Sequence, residues 1–197
     1  MRQLLVATNN AGKLREFERL LADLPAEVVG PEQIGLQLDV PEPHMTYAEN
    51  AAAKAGAFCR ASGLLVLADD SGLEAAALDW GPGVRTGRFG GPQVTDRVAA
   101  LLDRLDGAAD RRARMVCWLA IGVPTSAAPG IELFSGEMQG TLTRAPRGDG
   151  GFGYDPIFEL PSGRTNAELP EAEKDRISHR GRAVAAAAPR LRALLTS

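Results

Sequence analysis

Cysteine and histidine are nearly absent: two of each in 197 residues, Cys59, Cys117, His44 and His179, none at metal-ligand spacing from another. That scatter argues against a zinc site and against a disulfide framework. Aromatic residues are few, at 5%, so alanine, leucine and valine must fill the core. No apolar run approaches the roughly 20 residues that span a bilayer. The run Leu4-Leu5-Val6-Ala7 is also too short for the core of a signal peptide. The expectation is a cytoplasmic protein with no membrane partner. Positive charge is not in excess either. A net charge of -3 gives no general attraction to a polyanion, so no nucleic-acid partner is expected. Local basic clusters still suit a small phosphate ligand.

Glycine and proline are plentiful, at 22 and 13 residues, which predicts many specific loops without reaching the level of disorder. The length fits one domain spanning 1-197, with two lobes around a cleft as a possible arrangement and no clear linker. The apolar pattern predicts a buried strand over Gln3–Ala7 and a helix over about Ala11–Asp23, with Leu14, Phe17, Leu20 and Leu21 on one face. Thr46, with Glu49 three residues on, reads as the capping box of a helix ending near Ala61. A strand follows over Leu64–Asp69, and then a helix over about Gln93–Leu105 with Val94, Val98, Leu101, Leu102 and Leu105 at core spacing. Two strands are expected at Met115–Val123 and Ile131–Leu142, and a short one at Pro156–Phe158. The Ala-rich segment from His179 predicts a helix that Pro189 breaks or kinks.

Three segments carry chemistry. In Ala68-Asp69-Asp70-Ser71-Gly72-Leu73 two adjacent carboxylates follow a buried run, at the edge where open α/β sheets place ligands. They either ligate a cation or cap a turn before Gly72. Thr8-Asn9-Asn10-Ala11-Gly12-Lys13 joins a buried strand to a helix start, where free backbone amides and a lysine make an anion cradle, or else Asn10 is an ordinary N-cap and Lys13 is solvated. The P-loop pattern GxxxxGK[ST] is absent. Arg147 to Pro156 has four glycines in a short span, which lets the backbone approach a ligand closely; Phe152 and Tyr154 either stack on a base or plug the core. Glu173 to Arg182 is rich in donors for phosphate or a base edge, or else forms a solvated helix face.

Taken in order, Thr8–Lys13 with Glu16, Tyr47-Ala-Glu-Asn-Ala51, Ala68–Leu73, Pro82-Gly-Val84 with Arg88, Gly150–Phe158 and Ser178-His-Arg-Gly181 cover nearly the whole chain. Together they resemble the Ham1 (RdgB-like) family of inosine/xanthosine triphosphate pyrophosphatases. The chain departs from that pattern at Arg85 and Gly87. The resemblance implies an elongated α/β fold, a mixed central sheet flanked by helices, two lobes around a nucleotide-binding cleft, and a homodimer. It implies that Thr8, Asn9, Asn10, Ala11, Gly12 and Lys13 hold a triphosphate. Asp70 would bind Mg²⁺ and act as catalytic base, with Glu42 as second metal carboxylate and Ser71 touching the substrate. Phe152, Gly153, Tyr154, Asp155, Lys174, His179 and Arg180 would embrace base and sugar. The expected substrate is a purine nucleoside triphosphate, namely ITP, dITP or XTP, cut to monophosphate and pyrophosphate. Two other readings fit the same motifs: a nucleotide-binding regulatory module without turnover, and a Maf-like pyrophosphatase of different base specificity.

Overall fold

Alternating burial along the strands sets the layering of this α/β protein, whose computed structural model describes residues 2–196. The strands are β1 (Arg2–Val6), β2 (Ala26–Val29), β3 (Leu65–Ala75), β4 (Gly81–Pro82), β5 (Arg112–Val123), β6 (Gly130–Leu142) and β7 (Phe158–Glu159). The helices are α1 (Ala11–Leu20), α2 (Tyr47–Ser62), α3 (Val94–Arg104), α4 (Glu171–Ile177) and α5 (His179–Thr196). Strand order is β2-β1-β3-β5-β6-β7, with β4 paired to β3. The β1–β2 and β1–β3 pairs are parallel, whereas β3–β4 and β6–β7 are antiparallel, so the sheet is mixed.

The chain forms two compact units. The first takes the chain up to Asp70, Cys117–Gly136, and the chain from Arg180 onward. In it, Leu4 and Val6 of β1, Leu67 of β3, and Cys117, Leu119 and Ile121 of β5 face α1 and α5 through Phe17, Leu21, Ala183, Ala187 and Leu191. The intervening residues Leu5, Val66, Ala68 and Ala120 face α2 through Ala51, Ala55, Phe58 and Cys59. This is the period-2 alternation of strands buried on both faces. Small residues let α2 lie close: a Cβ on Gly122 would meet the Ala55 carbonyl at 3.0 Å.

The second unit, Ser71–Val116 with Glu137–His179, has its own core. It gathers Leu73 and Ala75, Leu101 and Leu105 of α3, Met115, Met138, Tyr154, Ile157 and Phe158. Strands β3, β5 and β6 each pass from one unit into the other, so no flexible linker marks the boundary in the sequence.

Several sequence expectations shift. β3 does not end at Asp69 but runs on to Ala75, because Leu73 and Ala75 continue the buried alternation that the turn-like Ser-Gly pair conceals. α1 stops at Leu20 instead of Asp23. Val94, expected in the core, is 41% exposed, one turn ahead of the buried face of α3. Thr46 caps α2 as expected through Glu49 N (3.3 Å), but the Glu49 carboxylate accepts from the Thr46 hydroxyl (2.7 Å), where a capping box would use the backbone amide. The expected strand at Pro156–Phe158 is a 3₁₀ turn, Asp155–Ile157, leading into β7. α5 continues through Pro189. Pro189 and Ala185, whose carbonyl loses its helical donor, both lie on the solvent-exposed side, while Ala187 and Leu191 hold the opposite face in the core.

Candidate functional site

The parallel β1–β3 ladder pairs Leu4–Val6 with Leu65–Leu67, and one further bond runs from Ala7 N to Leu67 O (2.8 Å). Asp69 and Asp70 follow just past its end. Successive strand residues point to opposite faces, so the two acids meet different helices.

Asp69, 2% exposed, lies on the α1 and α5 side. Its carboxylate accepts from Lys13 Nζ with both oxygens (2.9 and 3.1 Å) and from Arg180 Nε (3.5 Å). Arg180 also donates to Glu16 Oε2 (3.0 Å), and Glu16 is itself 1% exposed. Burial alone would push the Asp69 carboxyl up, but Lys13, Arg180 and Lys54 hold it well below the usual carboxylate range. Asp69 is therefore a fixed anion that anchors two cations.

Asp70, 6% exposed, lies on the α2 side, where Asn50 Nδ2 donates to its Oδ2 at 2.9 Å. Four residues on along α2, Lys54 Nζ bonds the Asp69 carbonyl (3.0 Å) and pairs with Glu42. Burial raises the Asp70 pKa, the Asn50 hydrogen bond opposes the shift, and the negative charge of Glu42 adds to it. Against the pull of burial, Asp69, Glu42 and Asp70 raise that of Lys54. Asp70 thus holds a proton more readily than a solvated aspartate and sits within the field of a second carboxylate.

The same unit carries the anion cradle. Asn10 caps α1, accepting from Lys13 N at 3.0 Å, and Thr8 Oγ1 accepts from Asn10 N at 3.2 Å. Asn9 reaches the Leu38 carbonyl (3.3 Å). Asn9, Asn10 and Ala11 are exposed, and Gly12 and Lys13 half-buried, so with Lys13 N taken by the cap it is the Ala11 and Gly12 amides that lie at the surface for an anion.

The second unit holds the glycine-rich loop. Asp155, 3% exposed, accepts from Phe152 N (2.8 Å) and Lys174 Nζ (2.7 Å), and the Phe152 ring lies 5.2 Å from that ammonium. Gly153 adopts φ +66°, a left-handed conformation that suits glycine. Tyr154 is a core residue whose hydroxyl donates to the Thr86 carbonyl (3.1 Å), so of the two aromatics only Phe152 keeps a half-exposed ring. Ser71, half-buried, begins this unit's share of β3. Lys174 and His179 are both buried, at 5%, although the charge run around them reads as a solvated face.

The structure brings Thr8–Lys13, Glu42, Asp70 and Arg180 into the first unit, and Ser71, Phe152–Asp155, Lys174 and His179 into the second. From the sequence, Asp69 reads only as one of two carboxylates that ligate a cation or cap a turn, Glu16 and Asn50 stand in motifs without a role, and Lys54 is not singled out. The spacing of Asn50 and Lys54, four apart on a helix whose other faces are alanine-rich, was the available signal.

Mg²⁺ takes one or two carboxylates and completes its shell with water and substrate phosphates. Asp70 and Glu42 match that donor set. Among the described residues no group of three or more metal-ligating side chains forms a closed cage. Burial is the main reason the Asp70 pKa is raised; the smaller repulsion from Glu42 is what a divalent cation would relieve.

Known proteins resemble this chain over nearly its full length. A dITP/XTP pyrophosphatase of Deinococcus deserti is 48% identical over 188 residues, covering 94% of this chain and 87% of that protein. One of Ralstonia nicotianae is 46% identical over 198 residues, covering 98% of each. Among solved structures, a HAM1 protein from Coxiella burnetii superposes with a TM-score of 0.83 at 38% identity, covering 100% of this chain and 99% of the other. A nucleoside-triphosphatase (dITP/XTP pyrophosphatase) from Mycobacterium abscessus gives 0.73 at 38% identity, covering 95% and 99%. The model of the Ham1 family matches residues 4–190, and the chain belongs to that family.

Proposed function

We propose that this protein is a Mg²⁺-dependent nucleoside triphosphate pyrophosphatase acting on ITP, dITP and XTP, releasing the monophosphate and pyrophosphate. The observation that carries the reading is the pair of adjacent aspartates with opposite electrostatics. One is an anion bound by Lys13 and Arg180, and the other is a carboxyl with raised pKa beside Glu42. The names of the relatives, dITP/XTP pyrophosphatase at 45–48% identity, support the same reaction.

Thr8 to Gly12 and Lys13 bind the triphosphate through helix amides and one ammonium. Asp70 and Glu42 hold Mg²⁺, which offsets phosphate charge when bound. Asp70 accepts the proton of the attacking water, while Asn50 holds one of its oxygens and so its orientation. Lys13 is 19% exposed at its side chain and can turn from Asp69 toward phosphate without leaving the cluster. Ser71 touches the substrate. Phe152, Gly153, Tyr154, Asp155, Lys174, His179 and Arg180 serve base and sugar, with Tyr154 and Asp155 acting from within the core. Buried donors there favour a purine with oxygen at C6 over adenine, because an amino group facing a donor leaves both unpaired. The working protein is a homodimer in the cytoplasm; no helix among the described residues is long and apolar enough to cross a membrane.

The test is product analysis with a panel of ITP, XTP, dITP, GTP and ATP. Pyrophosphate and monophosphate from the first three, poor use of ATP, and loss of activity in excess chelator are expected. Orthophosphate as the primary product, or full activity with chelator, would overturn the reading.

A further inference from the structure

The glycine-rich loop of the second unit rests on a turn that no motif singled out. Asn166–Glu168 forms a 3₁₀ turn whose entry is closed by a reciprocal cap between Thr165 and Glu168. Three bonds lace loop to turn: Thr165 Oγ1 to the Arg147 carbonyl (2.9 Å), Gly150 N to the Ala167 carbonyl (3.0 Å), and Asn166 Nδ2 to Asp155 Oδ1 (3.3 Å). The packing is close enough that a Cβ on Gly148 or Gly150 would come within 2.6 or 2.8 Å of Ala167 backbone atoms.

Asp155 spends one oxygen, Oδ2, on both Phe152 N and Lys174 Nζ. A carboxylate is planar, so the direction of Oδ2 is fixed only when Oδ1 is also held. Asn166 is the residue that holds it. Its amide is 0% exposed, and only its NH₂ end can face a carboxylate. Its own carbonyl oxygen is left buried without a hydrogen bond among the described residues. A buried acceptor with no donor weakens a fold, and an apolar residue of the same size would avoid that penalty. An apolar residue would, however, leave Asp155 Oδ1 without its donor; the amide nitrogen also reaches Met115 Sδ (3.7 Å), a weak acceptor, so its bond to Asp155 is the one that orients a charged group.

We propose that Asn166 is a positioning residue for base recognition: through Asp155 it sets the Phe152 backbone and the Lys174 ammonium against a purine carrying oxygen at C6. The proposal rests on the assignment of Phe152 and Lys174 to the base. It predicts a defect confined to ligands that carry a base.

The experiment compares wild type with Asn166→Leu, which keeps the volume and removes the donor, and Asn166→Ser, which is smaller and cannot reach Asp155. KM and kcat are measured for ITP, together with the inhibition constant of inorganic tripolyphosphate, a ligand with no base. Lys174→Met serves as the direct probe of the base-side assignment. The expected result is a KM for ITP raised about tenfold in both Asn166 variants, kcat within about twofold, and an unchanged constant for tripolyphosphate. If Lys174→Met raises the KM while both Asn166 variants match wild type, the positioning role is refuted and the base-side assignment survives. A parallel loss for ITP and tripolyphosphate in the Asn166 variants would mark a merely structural residue and overturn the proposal. An unchanged KM in Lys174→Met removes the base-side assignment, and the positioning role with it.

Discussion

Exchanging each of the adjacent aspartates for asparagine should move stability in opposite directions. Asp69→Asn removes the anion to which Lys13 and Arg180 are tied. Breaking a buried ion pair from one side costs about 3–5 kcal/mol because a charge is left uncompensated. Here the loss is softened twice. Lys13, with 19% of its side chain exposed, can turn to water, and Arg180 keeps Glu16. The expected loss is about 2–3 kcal/mol, which for a chain of this size lowers Tm by about 5–10 °C. Asp70→Asn keeps the Asn50 hydrogen bond through its own carbonyl oxygen. It also removes a carboxylate that burial and Glu42 already disfavour in the ionised form. Its Tm should match or exceed that of wild type, while the role proposed for Asp70 predicts loss of turnover.

The pH dependence follows from the sign of the Asp69 shift. A carboxyl whose pKa is depressed on folding contributes stability that is complete above its unfolded value, about 3.9, and is lost as the pH falls below it. The gap between wild type and Asp69→Asn should therefore stay level from pH 8 to about 5 and narrow only in acid. Thermal unfolding of the three proteins from pH 8 down to about 3, with an ITP turnover assay at neutral pH, measures both effects. A loss under about 0.5 kcal/mol in Asp69→Asn would refute the reasoning, as would an equal loss in Asp70→Asn.

Pro189→Ala should stabilise the protein by about 1–2 kcal/mol, since a helix-interior proline is replaced on an exposed face; a lower urea midpoint than wild type would contradict this. Arg111 donates to the carbonyls of Leu142 (2.5 Å), Thr143 (2.7 Å) and Leu105 (3.0 Å), so Arg111→Ala should lose about 2–3 kcal/mol in urea unfolding. Arg111→Lys should recover less than half of that loss, because an ammonium lacks the guanidinium fork. Burial pushes the Tyr154 phenol up to about 12 from an ordinary value near 10. Its raised folded value means that its contribution to stability is intact below pH 10 and is lost as the pH rises toward 12. Ultraviolet titration should show this late phase in wild type and not in Tyr154→Phe.

Local signals carried much of the fold. Thr46 and Asn10 each place a short polar acceptor where helix amides are unpaired, and Phe17, Leu21, Leu101 and Leu105 repeat at helical spacing, so caps and core faces were legible. What escaped was decided by distant partners. Ser71-Gly72 has the composition of a turn, but neighbouring strands make it the middle of β3. The 173–182 run has the composition of a solvated face, yet Lys174 is drawn into the core by Asp155, and Arg180 by Glu16 and Asp69. The division of labour between Asp69 and Asp70 has no local signature either, because it depends on which helix each face of the strand meets.

The first unit's dependence on both ends of the chain constrains its birth on the ribosome. Leu4 and Val6 share one cluster with Ala187, Leu191 and Leu195, and Arg2 donates to the Leu194 carbonyl across a separation of 192 residues. At elongation rates of 5–20 residues per second, β1 waits roughly 10–40 s for the helix that covers it. Throughout that interval an apolar strand face lies open to other nascent chains or to a holdase. Closing a loop of 192 residues is also entropically unfavourable, so this half should consolidate late and slowly. A stop codon placed before α5 would therefore yield a nascent product with an uncovered sheet, prone to aggregation, rather than a shortened but otherwise native molecule.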